Sequence, residues 1–181
     1  MDAPVARNAD PGRRDRIIDA ALHVIATQGV AGTSHRKVAA VAGVPLGSMT
    51  YHFNGMKELL HEAFSRFAER SADQFDARMR SAHTRAEALD AVMESIVVEH
   101  SQADTVVTYE LYTLAARDHA YQQVTEGWMA RSRASLERHF DPRTARLLDA
   151  LIEGLNIHRA LDREPAGEDD IIEAIARIVR V

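Results

Sequence analysis

Residues 33–53 read TSHRKVAAVAGVPLGSMTYHF, and this stretch decides the fold prediction. Its pattern predicts two short helices joined by a sharp turn at Gly43, because glycine can adopt the left-handed conformation that such a turn needs. Thr33 or Ser34 would cap the first of these helices. Together the two helices predict a helix-turn-helix motif over about residues 34–53.

The inward and outward faces of the second helix follow from its spacing. Met49 and Phe53 lie four residues apart and are predicted to face inward. The polar and aromatic side chains left at the surface are Ser48, Thr50, Tyr51 and His52. Side chains of these types can bond base edges and phosphates in a DNA major groove. A helical hairpin without any ligand would explain the same turn, and Tyr51 could instead pack against the first helix of the chain.

Two basic residues, Arg36 and Lys37, open the first helix of the motif, where basic side chains and a helix N-terminus both attract phosphate. Solvated surface charge is the alternative. The charge distribution favours a polyanion at the N-terminal third of the chain, although the net charge is −5. Residues 1–60 hold seven basic and five acidic side chains, whereas residues 61–181 hold fifteen basic and twenty-two acidic ones.

Apolar residues at helical spacing continue on both sides of the motif. A first helix would run from Ile17 to a stop at Gly29, and a long helix would cover about residues 55–82. Residues 105–114, TVVTYELYTL, are rich in β-branched and aromatic types but keep helical spacing. The fold class is therefore predicted to be all-α with about nine helices, the last five starting near residues 84, 105, 119, 141 and 168.

Composition excludes several classes of protein and of site. Hydrophobic residues make up 46% and charged residues 27% of the 181 residues, which is typical of a globular chain. No apolar run is long enough for a membrane span and the N-terminus holds no secretion signal, which predicts a cytoplasmic protein. Cysteine is absent and the nine histidines show no metal-ligand spacing, so we expect neither metal nor cofactor. Without a phosphate-binding loop or a nucleophile motif, we do not expect an enzyme.

From about Arg13 to Leu60 the sequence resembles the N-terminal domain of the TetR/AcrR family of transcriptional regulators. The family pattern is matched without a gap at Thr33, residues 38–39, 42–45, 47–49, 52–53 and 58–60. The resemblance implies a ligand-responsive regulator, most simply a repressor, that binds a palindromic operator as a homodimer and is released by a small-molecule effector. A helical adaptor that binds protein instead of DNA is the alternative, and the basic N-terminal third favours DNA.

Two positions depart from the family pattern. Thr50 stands where the family has a tyrosine, with the aromatic side chain at Tyr51. Met56 stands where the family has a lysine, with Lys57 one place later. A shift of one residue turns a side chain by about 100° around a helix. The predicted DNA-binding residues are Thr33, Ser34, Arg36, Lys37, Leu46, Gly47, Ser48, Thr50, Tyr51, His52 and Lys57.

The resemblance also implies a DNA-binding domain over residues 1–54 and a ligand-binding and dimerisation domain over residues 55–181. The family arranges the helices of the second domain around a cavity, and aromatic or polar side chains among apolar neighbours suit such a pocket. The predicted effector-binding residues, for which core packing is the alternative, are Met93, His100, Tyr109, Tyr112 and Trp128. Dimerisation through the last two helices would cover their apolar faces, formed by Leu147, Leu151, Leu155, Ile171, Ile175 and Ile178.

Overall fold

A computed structural model describes residues 12–97 and 101–179, and over these ranges the chain forms nine α-helices and no strand. The all-α prediction is confirmed, and residues 105–114 are helical. None of the helices in these ranges is long and apolar enough to cross a membrane. The helices are α1 Arg13–Gly32, α2 His35–Ala42, α3 Gly47–His52, α4 Met56–Ser81, α5 Arg85–Val97, α6 Gln102–Ala115, α7 His119–Leu136, α8 Pro142–Leu161 and α9 Glu168–Val179.

Continuous helical geometry in the first helix stops at Gly29, as the sequence predicts. Gly29 has a non-helical φ of 69° and a ψ of 172°, which kinks the chain, and a further short turn carries α1 to Gly32. These backbone angles are accessible to glycine and strained for other residues. A Cβ atom on Gly29 would lie 2.5 Å from Oε1 of Glu110 in α6. Thr33 follows the helix, and its Oγ1 donates a hydrogen bond to the carbonyl oxygen of Gly29 at 2.8 Å.

The helix-turn-helix forms over α2 and α3 as predicted. Ser34 caps α2, since its Oγ accepts a hydrogen bond from the backbone N–H of Lys37 at 3.4 Å. Gly43 ends α2 in the left-handed conformation, with a φ of 64° and a ψ of 35°. Met49 and Phe53 are both buried and hold α3 against the preceding helices. The local signals in the sequence are therefore sufficient to place this motif.

We call α1–α3 the head and α4–α9 the body. One hydrophobic cluster joins them, because the buried faces of the head and of the first half of α4 pack with Val107 and Leu111 of α6 and with Tyr121 of α7. Packing is thus continuous across the predicted domain boundary at residue 54. A close-packed core transmits displacements, so a shift of α6 or α7 reaches the head.

A second hydrophobic cluster lies in the far part of the body. It contains the second half of α4 together with the apolar faces of α5, α8 and α9. Helix α4 belongs to both clusters, through Phe64 and Phe67 in the first and through Phe75 and Met79 in the second. This helix is therefore the structural link along the whole molecule, and the space beside it is where a cavity forms.

Candidate DNA-contact face and effector cavity

Helix α3 presents Tyr51 to solvent. The residue is 84% exposed, which rules out the alternative that it packs against α1. The ring of His52 lies edge-on to that of Tyr51, with centroids 4.9 Å apart. Leu46, Gly47 and Thr50 are also exposed. Helix α3 and the residue before it thus form an outward surface that combines an aromatic ring, a hydroxyl group and an imidazole.

Ser48 does not belong to this surface. The sequence places its side chain outside, but the residue is only 8% exposed. The expectation is wrong because the six-residue helix α3 buries Ser48 together with its neighbour Met49, which packs in the first hydrophobic cluster.

The start of α2 adds positive charge to the head. Arg36 is exposed in the first turn, as predicted. Lys37 is exposed as well, and its Nζ donates to Oε1 of Gln28 at 2.5 Å and to the carbonyl oxygen of Gly32 at 2.7 Å. Lys37 therefore ties α2 to the end of α1 while it keeps its charge at the surface.

Lys57 contacts the body from the first turn of α4. Its Nζ lies 2.8 Å from Oδ2 of Asp118, the residue that caps α7 through the backbone N–H of Ala120. The hydrogen bond from Lys57, and then that from the Ala120 N–H, lower the pKa of Asp118, while the bond to Asp118 raises the pKa of Lys57. The shift of one place from the family lysine thus gives this side chain a partner on α7.

The body contains a cavity of about 990 Å³ between α4, α5, α6, α7 and α8. Ligand sites typically have volumes of about 300–1,000 Å³, so the space is large enough for a small organic molecule. Its walls contain both polar and apolar side chains. Its aromatic lining consists of Phe67, Phe75, Tyr109 and Trp128.

Aromatic rings surround a carboxyl group where α6, α7 and α8 meet. Trp128 packs edge-to-face on Phe67 with centroids 5.7 Å apart and lies 6.3 Å from Tyr112. The hydroxyl of Tyr112 donates to Oε2 of Glu153 at 2.7 Å, and Glu153 lines the cavity. Burial raises the pKa of Glu153, and the negative charge of the nearby Asp149 raises it further. The hydrogen bond from Tyr112 lowers this pKa, but by less than burial raises it.

Three arginines also line the cavity: Arg70, Arg78 and Arg159. Arg70 lies 3.4 Å from the carboxylate of Asp104, which is a lining residue as well. Arg159 donates to the carbonyl oxygen of Val97 at 3.3 Å. The walls therefore carry charges of both signs, in addition to the aromatic rings.

Two family models cover most of the chain. Residues 17–63 match the model for bacterial regulatory proteins of the TetR family, and residues 80–181 match the model for the tetracyclin repressor-like C-terminal domain. The chain belongs to the TetR family of transcriptional regulators. The exposed α3 of this TetR-family chain lies within the first match, and most of the cavity lining lies within the second.

Individual relatives agree with this assignment over nearly the full length. The regulator SCO7518 of Streptomyces coelicolor A3(2) is 55% identical and has a TM-score of 0.87, with 94% of this chain and 100% of that chain covered. The multidrug binding protein EbrR, in its complex with ethidium, is 36% identical with a TM-score of 0.74, and 93% of this chain and 99% of that chain are covered. The transcriptional regulator PksA of Bacillus subtilis (strain 168) is 25% identical over 92% of this chain and 88% of its own length.

Of the predicted effector-binding residues of this TetR-family chain, some line the cavity and others do not. Tyr109 and Trp128 line the cavity, and Tyr112 stands behind the wall, bonded to Glu153. Met93 packs against the second hydrophobic cluster and does not line this cavity, which agrees with the core-packing alternative for that residue. His100 lies outside the described residues.

Several lining residues were missed from the sequence. Phe67 and Phe75 are recognisable there only as part of the apolar stripe of α4. Glu153 does leave a signal, because it follows Asp149 by four residues and so shares a helix face with it. Asp149 itself is 8% exposed and pairs with Arg133 at 3.3 Å. Two acidic residues beside an apolar helix face indicate a polar interior site.

The predicted dimer face divides into inward and outward residues. Ile171 and Ile175 are 0% and 3% exposed within their own chain, so their prediction as dimer contacts is wrong. Half-buried against the second cluster are Leu151, Leu155 and Ile178. The large apolar residues that α8 and α9 expose are Leu147 at 42%, Ile157 at 38%, Leu161 at 71% and Ile172 at 49%.

Proposed function

We propose that the protein is a repressor that binds a palindromic operator as a homodimer and leaves it when a small molecule fills the cavity. The observation that carries this proposal is the presence, in one TetR-family chain, of an outward-facing α3 and a cavity of about 990 Å³ joined by a shared core. Thr50, Tyr51 and His52 would contact DNA from α3. Arg36 and Lys37 would approach the phosphates at the start of α2.

The dimer would form through α8 and α9, where Leu147, Leu161 and Ile172 are exposed. Exposed apolar side chains that lie together favour an interface over open surface. A two-fold dimer that spaces its two copies of α3 by about 34–36 Å matches one turn of DNA and hence a palindromic site. Such a regulator would act in the cytoplasm, where the DNA lies.

The effector class that suits the cavity is an aromatic cation. Glu153 supplies a carboxylate, and Phe67, Tyr109 and Trp128 supply ring faces that attract positive charge. The relative EbrR is described in complexes with ethidium, proflavin and malachite green, which are aromatic cations. That similarity supports the same chemical class for this chain.

DNA binding is tested by selecting duplexes from a random-sequence library and measuring their affinity by fluorescence anisotropy. We expect palindromic sequences, whose binding constant falls with salt by a logarithmic slope of about −0.9 for each phosphate contacted. Malachite green, as a probe that does not depend on intercalation, should weaken operator binding by about 5- to 150-fold. Failure to retain any duplex would overturn the proposal and favour the alternative of a protein-binding adaptor.

The cavity is tested separately with Glu153→Gln. The affinity for malachite green can be followed by fluorescence of Trp128, the single tryptophan of the chain. We expect about a tenfold loss in Glu153→Gln, because a charge-assisted contact to the cation disappears. The matched control is Glu137→Gln, which makes the same change at an exposed residue outside the cavity. This variant should bind malachite green normally. Equal affinities of the two variants would remove Glu153 from the effector site.

A further inference from the structure

We propose that the effector also carries an acidic group, a carboxylate or a sulfonate, and that Arg78 binds this group in the part of the cavity remote from Glu153. The inference rests on the proposed function, since it adds a second chemical feature to the molecule that the cavity takes. It separates the effector of this protein from simple aromatic cations.

Arg78 lies in the cavity wall and has an unsatisfied hydrogen-bond donor. It shares one face of α4 with Ser71 and Gln74, at spacings of three and four residues, and all three residues line the cavity. The Nε of Arg78 is buried and has no hydrogen-bond partner among the described residues. Buried polar atoms are nearly always bonded, and an unbonded one is costly. An acceptor on a ligand would satisfy this N–H group.

The other charged lining residues do not offer that acceptor. Among the described residues, Asp104 is engaged by Arg70 and Glu153 is engaged by Tyr112. The described lining holds three guanidinium groups and two carboxyl groups, so its balance is positive. A second positive group on the effector would be repelled there, whereas a negative group would be attracted.

The two polar parts of the cavity are separated along α4. Glu153 belongs to the wall of Tyr112 and Trp128, and Trp128 contacts Phe67. Arg78 follows Phe67 by eleven residues, which is about 16 Å along a helix at 1.5 Å per residue. The side chains of Glu153 and Arg78 both line the cavity, which makes the distance between their charged groups shorter than the distance along the helix. An aromatic cation that carries an acidic group on an attached ring fits this arrangement.

Rhodamine B and its methyl ester are matched probes for this inference. They share the same cationic ring system, and the carboxylate of the first is blocked in the second. Anisotropy of each dye is measured while the full-length protein is titrated. We expect the acid to bind about tenfold or more tightly than the ester, because a charge-assisted bond to Arg78 is made only by the acid.

Two arginine variants assign the preference to one side chain. Arg78→Gln should bind the acid and the ester equally, with the ester affinity unchanged. Arg80→Gln removes the same charge from the same helix at a position that pairs with Asp76 at 2.5 Å and does not line the cavity. It should keep the preference for the acid. Arg78→Lys keeps the charge but loses the Nε donor, so it should keep part of the preference for the acid. Arg78→Met replaces Arg78→Gln if that variant does not fold by circular dichroism.

The outcomes separate this inference from the proposed function. Equal affinities for acid and ester in the unmodified protein, or a full preference that survives when the charge at position 78 is removed, would overturn the acidic-group inference. So would binding of malachite green without binding of either rhodamine. In each of these cases the operator and malachite green measurements still test the proposed function by themselves. Loss of all dye binding together with loss of operator release would overturn both.

Discussion

The head and the body present their functional side chains in opposite directions. In the head, Tyr51 is 84% exposed and Arg36 lies at the surface, so the candidate DNA contacts face outward. In the body, Trp128 and Glu153 face an interior space. A surface that binds a duplex needs little enclosure, whereas a small molecule is held well only when most of its surface is covered. Substitutions in the head should therefore remove individual DNA contacts. Substitutions in the body should remove contacts to the small molecule and also change the shape of the cavity wall.

The same contrast exists within one helix of the body, and it gives the largest expected effect. In α9, Ile175 is buried at 3% exposure and Ile172 is 49% exposed. We expect Ile175→Glu to lower the free energy of unfolding by about 3 kcal/mol or more, since it buries an unpaired charge. Ile172→Glu should leave the helical spectrum of the folded chain unchanged but shift the protein from dimer to monomer in sedimentation, with a smaller fall in melting temperature because only the stabilisation from dimerisation is lost. A stable dimer in both variants would remove α9 from the proposed interface.

The outward contacts of the head are tested by replacing Tyr51 and His52 together with alanine. We expect operator affinity to fall by about 2–4 kcal/mol, roughly 30- to 1,000-fold, because two hydrogen-bonding side chains are lost. The affinity for malachite green should not change, since neither residue lines the cavity. Unchanged operator affinity with an intact helical spectrum would exclude α3 as the DNA-contact helix.

The inward site is tested by pH. Burial raises the pKa of Glu153, so its carboxyl group stays protonated to higher pH than an ordinary glutamate with a pKa of about 4.3. An aromatic cation needs the ionised form. We expect the affinity for ethidium, whose charge is constant, to rise by about tenfold as pH increases through this raised pKa. The unliganded protein should lose stability over the same range, because its folded state holds that proton more tightly than the unfolded chain does.

The control for this pH profile is Glu153→Gln, which should bind ethidium equally at every pH. The measurement is made without DNA, so that the dye has no competing site. A profile that remains in Glu153→Gln would assign the titration to another group of the cavity.

The smallest expected effect lies at the contact between the two regions. Lys57→Met and Asp118→Asn each break the ion pair between α4 and the cap of α7. Exposed pairs contribute little, so operator and dye affinities taken separately should change by no more than a few-fold. The factor by which malachite green weakens operator binding should fall about two- to fivefold in each variant and no further in the double variant. Additive losses would show that the pair does not transmit the signal.

The sequence predicted the head better than the body because the head depends on local signals. Ser34 as a cap and Gly43 as a left-handed helix end both act through the neighbouring backbone, and both predictions are confirmed. The helix stop predicted at Gly29 is confirmed for the same reason, since glycine adopts its φ of 69° readily. The exposure of Ser48 depends on contacts with other helices, and that prediction is wrong. The local sequence pattern therefore predicts the helix-turn-helix motif, while tertiary contacts decide which of its side chains are exposed to solvent.

The cavity could be predicted only in part for the same reason. Tyr109 and Trp128 stand out as aromatic residues among apolar neighbours on helices that the family arranges around a cavity, and both line the cavity. Glu153 and Arg78 are charged, and a charged residue on a helix indicates surface unless the neighbouring helices are known. Their position beside a cavity follows from the packing of α4 and α8 against α5, α6 and α7. Spacing within a single helix contributes only the pairing of Asp149 with Glu153 on one face of α8.

The bend at Gly29 has a genetic consequence. Its backbone angles would cost any other residue about 1–3 kcal/mol, and the new side chain would also have to displace the carboxylate of Glu110. Random mutants selected for constant expression of the controlled gene should therefore include Gly29 substitutions, in proteins that still fold and still bind the effector. Such mutants would lose regulation through a position that contacts neither operator nor effector. Natural relatives should hold only glycine at this position.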